Sequence, residues 1–130
     1  MVVTQSGSHP LTHVAFTRED TYYSAQAYLK LVSLIEKLWP ERNSNVVMIA
    51  MTLLYRSQKQ GYETDISALS AALKIPRTSA HRLLNRWEEK KYVKLERRGR
   101  KTIVHLTAKS LDRLVEFYDL LIAESHNFRT

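Results

Sequence analysis

The chain has 130 residues, 44% of them apolar, with a formal net charge of +7 and a pI of about 9.8. That length and apolar share suit one hydrophobic core, so a single domain is expected. The absence of cysteine excludes a disulfide framework, a thiolate metal site and a thiol redox switch.

Residues 1–16 (MVVTQSGSHPLTHVAF) show little periodicity and include Gly7, Pro10 and several Ser and Thr, so they read as a flexible arm. His9 and His13 are four apart, a metal-ligand spacing in a helix. Pro10 stands between them and no third ligand accompanies them, so no metal site is expected. The N-terminus lacks the basic-then-apolar layout of a signal peptide, and the apolar run at 46–50 is far too short to span a bilayer. A cytoplasmic chain without a membrane segment is expected.

Thr17 followed by Asp20 reads as an N-cap with an acidic first turn, opening a helix that Pro40 stops. Tyr28, Leu31, Val32, Ile35, Leu38 and Trp39 recur at helical spacing, while Tyr22, Tyr23, Leu29 and Leu34 widen the apolar surface beyond one stripe. Such a helix packs on two sides. Asn43 or Ser44 can cap a second helix, in which Val46, Val47, Ile49, Ala50, Leu53 and Leu54 make the surface nearly apolar all round until Gly61 closes it. It is expected as the central core helix. A short third helix follows a cap at Thr64 or Asp65 and turns Ile66, Leu69, Ala72 and Leu73 inward. Pro76 then opens a fourth helix over 76–91, in the first turn, where its missing N–H is not needed.

The fourth helix carries Ala80, Leu83, Leu84 and Trp87 on one face. At about 100° per residue the opposite face holds Thr78, Arg82, Asn85 and Glu89, with His81 on one flank and Ser79 and Arg86 on the other. Beyond Lys91 the period changes to two: Val93 and Leu95 alternate with Lys94 and Glu96, and Val104 and Leu106 with Ile103 and His105. Gly99 supplies the positive φ that a hairpin turn needs, so Arg97, Arg98, Arg100 and Lys101 are held around its tip. Thr107 or Ser110 can cap a last helix with Leu111, Leu114, Val115, Tyr118, Leu121 and Ile122. Both terminal helices carry more apolar surface than one core absorbs, so an isologous homodimer built from 17–40 and 108–125 is expected.

Residues 74–109 hold twelve Lys and Arg against three Glu, a local charge of +9, whereas the rest of the chain carries eight against ten, or −2. Charge focused on one helix and the adjoining hairpin is the footprint of a duplex-DNA binder. A major groove about 12 Å wide admits one helix. Arg82 and Asn85 suit guanine and adenine edges, Thr78 and Ser79 a base or a phosphate, and the flanking Arg77, His81 and Arg86 the phosphates. Arg97, Arg98, Arg100 and Lys101 suit the neighbouring minor groove or backbone, where the negative potential favours clustered arginine. The chain has no Gly-rich phosphate loop, no nucleophile with a nearby histidine signature and no paired carboxylates, so neither enzymatic activity nor a cofactor is expected.

The text ISALSAALKIPRTSAHRLLNRWEEKKYVKLERRGRKTIVHLTAK resembles the MarR family of bacterial transcription regulators, the multiple antibiotic resistance regulators. The resemblance lies in a small helix ending in an apolar pair, a recognition helix ending in charged residues before an aromatic and Val, a wing, and an LT pair leading into the last helix. It implies a mainly α winged helix-turn-helix fold with a two-stranded β wing and terminal dimerisation helices around a DNA-binding unit at 44–107. The fourth helix would enter the major groove and the wing would reach the minor groove. The family's wing usually has Asp two residues before an Arg; Arg98 takes that Asp's place here, so the minor-groove role carries over to Arg100. Ser110 stands where family members commonly have Gly.

The expected function is therefore a homodimeric, sequence-specific binder of double-stranded DNA that regulates transcription. Plasmid or phage replication or copy control would use the same surface and is one alternative; a winged helix serving protein contacts is another. A protein-only winged helix would be expected to lack so cationic a wing tip. Tyr22, Tyr23, Tyr28 and Trp39 read as core or dimer packing residues, with the lining of a small-molecule effector pocket as the alternative.

Overall fold

The computed structural model describes residues 17–129, so the arm expected over 1–16, with His9 and His13, lies outside the described residues. The elements run α1 (Arg18–Leu38), α2 (Ser44–Lys59), β1 (Thr64–Asp65), α3 (Ile66–Leu73), α4 (Arg77–Glu89), β2 (Val93–Arg98), β3 (Lys101–Leu106) and α5 (Ala108–Arg129). No helix among the described residues is long and apolar enough to cross a membrane.

Thr17 and Asp20 close a capping box: Thr17 Oγ1 accepts from the Asp20 N–H at 3.0 Å, and the Asp20 carboxylate accepts from the Thr17 N–H at 3.0 Å. The last turn of α1 buries Leu38 and, just past it, Trp39 before Pro40 ends the run. Asn43 occupies the N-cap position of α2, yet its side chain makes no capping bond. α2 touches α1, α3, α5 and β3 and buries Val47, Met48, Ala50, Met51 and Leu54, which makes it the central core helix. Its apolar surface is not wholly covered, because Ile49 stays 52% exposed.

Asp65 caps α3, its carboxylate accepting from the Ala68 N–H at 2.8 Å. Thr64 and Asp65 also pair with Val104 and Ile103, so the two-stranded wing belongs to a three-stranded sheet of order β1-β3-β2. Two residues carry no readable periodicity, and this strand escapes a sequence pattern. Ala72 is exposed instead of turned inward. Ser70, four residues beyond Ile66, completes the buried stripe of α3 and leaves Ala72 on the other side. The Ser70 hydroxyl donates to the Ile75 carbonyl at 2.7 Å and tightens the turn into α4.

α4 is shorter than 76–91, because Pro76 is its extended N-cap and Lys90 its C-cap. The Tyr92 N–H bonds the Trp87 carbonyl at 2.8 Å and the Lys91 N–H the Glu88 carbonyl at 3.0 Å, a Schellman pair with Lys91 at φ 66° where glycine is usual. β2 and β3 pair from Val93↔Leu106 to Arg98↔Lys101, leaving Gly99 and Arg100 as a two-residue loop with Gly99 at φ 63°. Ile103 is buried although it shares a sheet face with Glu96 and His105, because β3 is the central strand, flanked on both sides. Thr107 caps α5, accepting from the Ser110 N–H at 3.2 Å, and α5 runs past the expected 125 to Arg129.

Ala80, Leu84 and Trp87 of α4 face the same core as Val47, Met51, Leu69, Val93 and Leu114. Leu84→Ala should therefore lower unfolding stability by roughly 2–5 kcal/mol in urea denaturation, through lost burial plus a cavity. The adjacent Asn85→Ala should change it by less than about 0.5 kcal/mol. Equal losses at the two positions would show that α4 is rotated from the face described.

Candidate nucleic-acid interface

α4 buries one face, so its opposite face is set without further instruction. Thr78, Arg82, Asn85 and Glu89 are exposed along it, with Arg77, His81 and Arg86 exposed beside them and Ser79 half-buried. The side chains of Arg77, Arg82 and Arg86 have no ion-pair or hydrogen-bond partner among the described residues. The polar positions expected on α4 thus lie on one continuous outward surface, with three unneutralised guanidinium groups.

Arg97, Arg100 and Lys101 likewise carry exposed charge at the wing tip without an acidic partner among the described residues. Arg98 differs. Its Nε donates to Glu96 Oε2 at 3.2 Å, its Nη2 to Glu96 Oε1 and Oε2 at 3.0 and 2.9 Å, and its Nη1 to Glu63 Oε1 at 2.6 Å. His105 Nε2 lies 2.7 Å from Glu96 Oε1. The hydrogen bond from His105 first, and Arg98 second, hold the Glu96 carboxyl below the ordinary glutamate range. The two carboxylates in turn hold the Arg98 guanidinium more firmly in its charged form.

Other carboxylates fasten α4 and the wing to their surroundings. Glu88 accepts from the Leu95 N–H at 2.8 Å and ties the end of α4 to β2. Glu41, nearly buried in the α1–α2 turn, pairs with Lys90 and accepts from the Tyr92 hydroxyl at 3.2 Å. The Glu96–Arg98 contact could be anticipated from the period of two on a strand, which puts both side chains on one face. Glu63 and Glu41 could not, because the chain separates them from their partners by 35 and 49 residues.

At the far side of the molecule α1 packs on α5. Tyr22, Tyr28 and Leu29 on α1 and Val115, Leu121 and Ile122 on α5 are large, apolar and exposed. A groove of about 420 Å³ between the two helices is lined by Tyr23, Tyr28, Leu31, Leu121 and Glu124. Glu124 is buried there, accepting from the Tyr23 hydroxyl at 3.1 Å and lying 3.7 Å from Lys30 Nζ. Of the expected packing aromatics, Trp39 is fully buried in the core, while Tyr22 and Tyr28 lie on the exposed α1 surface.

The same arrangement of helices and wing occurs in solved structures. The complex of MepR with DNA from Staphylococcus aureus superposes with a TM-score of 0.69 at 13% identity, over 84% of this chain and 87% of that chain. MepR itself, described as a transcription regulator of the S. aureus multidrug efflux pump MepA, gives 0.62 at 17% identity over 86% and 82% of the chains. The heme sensor protein PefR from Streptococcus agalactiae, in complex with heme, gives 0.59 at 16% identity over 82% and 73%. The fold is the MarR-type winged helix. No protein-family model and no curated protein matches the sequence.

Proposed function

We propose that this chain is a homodimeric regulator of transcription that binds double-stranded DNA sequence-specifically, with α4 in the major groove and the wing at the minor groove. One observation carries the reading: exposed cations with no acidic partner among the described residues are gathered on the outward face of α4 (Arg77, Arg82, Arg86) and on the wing tip (Arg97, Arg100, Lys101). A cation left unneutralised by its own protein is one available to phosphate. The likeness in fold to MepR, which has been solved as a DNA complex, supports the same use of this surface.

Within that reading Arg82 and Asn85 approach base edges, as a guanidinium matches guanine O6 and N7 and a carboxamide matches adenine N6 and N7. Thr78 and Ser79, at the N-terminal end of α4, contact a base or a phosphate, while Arg77, His81 and Arg86 hold the backbone. The exposed apolar positions of α1 and α5 support a two-fold dimer through those helices, which would set two copies of α4 on successive turns of one duplex face.

Sedimentation at micromolar concentration should therefore return about twice the 15.2 kDa of one chain. A monomer would overturn the dimer. Arg82→Ala and Asn85→Ala should each reduce discrimination between a duplex selected from a random pool and its scrambled counterpart by roughly 1–3 kcal/mol. Arg100→Ala should weaken both duplexes alike and lower the salt slope by about one. Full sequence preference in the Arg82 and Asn85 variants would overturn the docking face, and unchanged affinity in all three would overturn DNA binding by this surface.

A further inference from the structure

We propose that Arg98 is a positioning residue that sets the pose of the wing and makes no contact with DNA, leaving Arg97, Arg100 and Lys101 as the wing's contacting cations. This inference rests on the reading that the wing meets a duplex.

The geometry separates Arg98 from its neighbours. Three of its nitrogens are engaged by two carboxylates, side by side with Glu96 and end-on to Glu63. Glu96 is also held by His105. Register explains the direction of the side chain. Arg98 pairs with Lys101 next to the turn, Glu96 with Ile103 one step back, and Asp65 of β1 with Ile103 on the other side. Glu63 precedes Thr64, which pairs with Val104 farther from the turn than Ile103, so Arg98 leans back from the tip to meet its carboxylate.

The charge count leads to the same conclusion. Two carboxylates around one guanidinium leave the group with no net positive charge to offer a phosphate. A phosphate taking the edge of Arg98 that carries Nε and Nη2 would have to displace its bidentate partner Glu96. Meanwhile β1 pairs with only two residues of β3, Ile103 and Val104, so among the described residues the hairpin beyond Ile103 has no further strand beside it. The Glu63–Arg98 bridge links the outer half of β2 to the α2–β1 loop, across the central strand. An isolated exposed ion pair orients little, but a bidentate arginine shared by two acids and buttressed by a histidine is a network, where orientation is better held.

Opposed signs make the test decisive. Glu63→Gln removes a negative charge from near the wing, so if Arg98 were one more phosphate-seeking cation, releasing it should tighten binding to every duplex. The strut predicts that Glu63→Gln weakens the selected duplex roughly three- to tenfold while leaving random duplex unchanged or tighter. Arg98→Ala should lower the ratio of selected to random binding by a similar factor with no change in salt slope. An equal loss on both duplexes with the slope lower by about one would make Arg98 a phosphate contact and overturn the proposal. So would Glu63→Gln tightening both duplexes equally.

A readout free of DNA separates this failure from that of the parent reading. In Glu63→Gln the amides of residues 97–102 should exchange with deuterium faster than in the parent chain. In Arg98→Ala the Glu96 carboxyl should titrate at higher pH by NMR. If neither changes, the strut is absent whatever the chain binds; if both change while no duplex is preferred, the strut stands as an anchor of the hairpin and the DNA reading falls.

Discussion

Ala80, Leu84 and Trp87 of α4 are almost wholly withdrawn from solvent, and the direction of every other group on that helix follows from their burial. Burying a large apolar side chain contributes about 1.5–3 kcal/mol. Turning the helix over would lose that and also place Arg82 in a core that offers it no acidic partner, a charge burial costing still more. The polar face therefore points outward because its opposite face cannot. The side chains of Thr78, Arg82 and Asn85 make no hydrogen bond or ion pair among the described residues that would aim them; the core aims them.

What the core does for α4, Tyr92 does for its place in the molecule. Tyr92 lies just past the helix's closing turn, edge-on to Trp39 with ring centroids 5.1 Å apart, and the Arg113 guanidinium lies 5.4 Å from both rings. Its hydroxyl donates to Glu41, and its carbonyl accepts the buried Ser110 hydroxyl at 2.6 Å. One residue thus joins the end of α1, the α1–α2 turn, the root of the wing and the start of α5. The aromatic, cation–π and hydrogen-bond contacts are individually worth about 0.5–2 kcal/mol. Together they couple the presentation of α4 to the two helices whose outer surfaces carry exposed apolar residues. Ser110 fits this junction because its hydroxyl has a carbonyl to meet.

Much of this was legible because the signals are long and periodic. α4 repeats its apolar positions over about two turns, the hairpin alternates on both strands around Gly99, and Thr17 with Asp20 spells a capping box. The remainder depends on tertiary pairing. β1 is a strand only because β3 is there to receive it, so Thr64 and Asp65 read locally as a cap. Ala72 and Ser70 exchange places because a two-turn helix tolerates either, and the turn to Ile75 decides in favour of the hydroxyl. Among the wing cations, charge and spacing alone leave Arg97, Arg98, Arg100 and Lys101 equivalent in their ion-pair partners. Glu63, remote along the chain, breaks that equivalence by drawing one of the four back toward the body of the sheet.

On the reading proposed above, α4 and the wing form a duplex-reading surface that a two-fold dimer presents twice. Selection of bound sequences from a pool of random duplexes tests it most directly. The expected product is an inverted repeat whose half-sites lie about 10–10.5 base pairs apart centre to centre, or a multiple of that spacing, so that two copies of α4 meet the same face of the duplex. A pool that emerges without enrichment, or enriched in one unrepeated site, would contradict it.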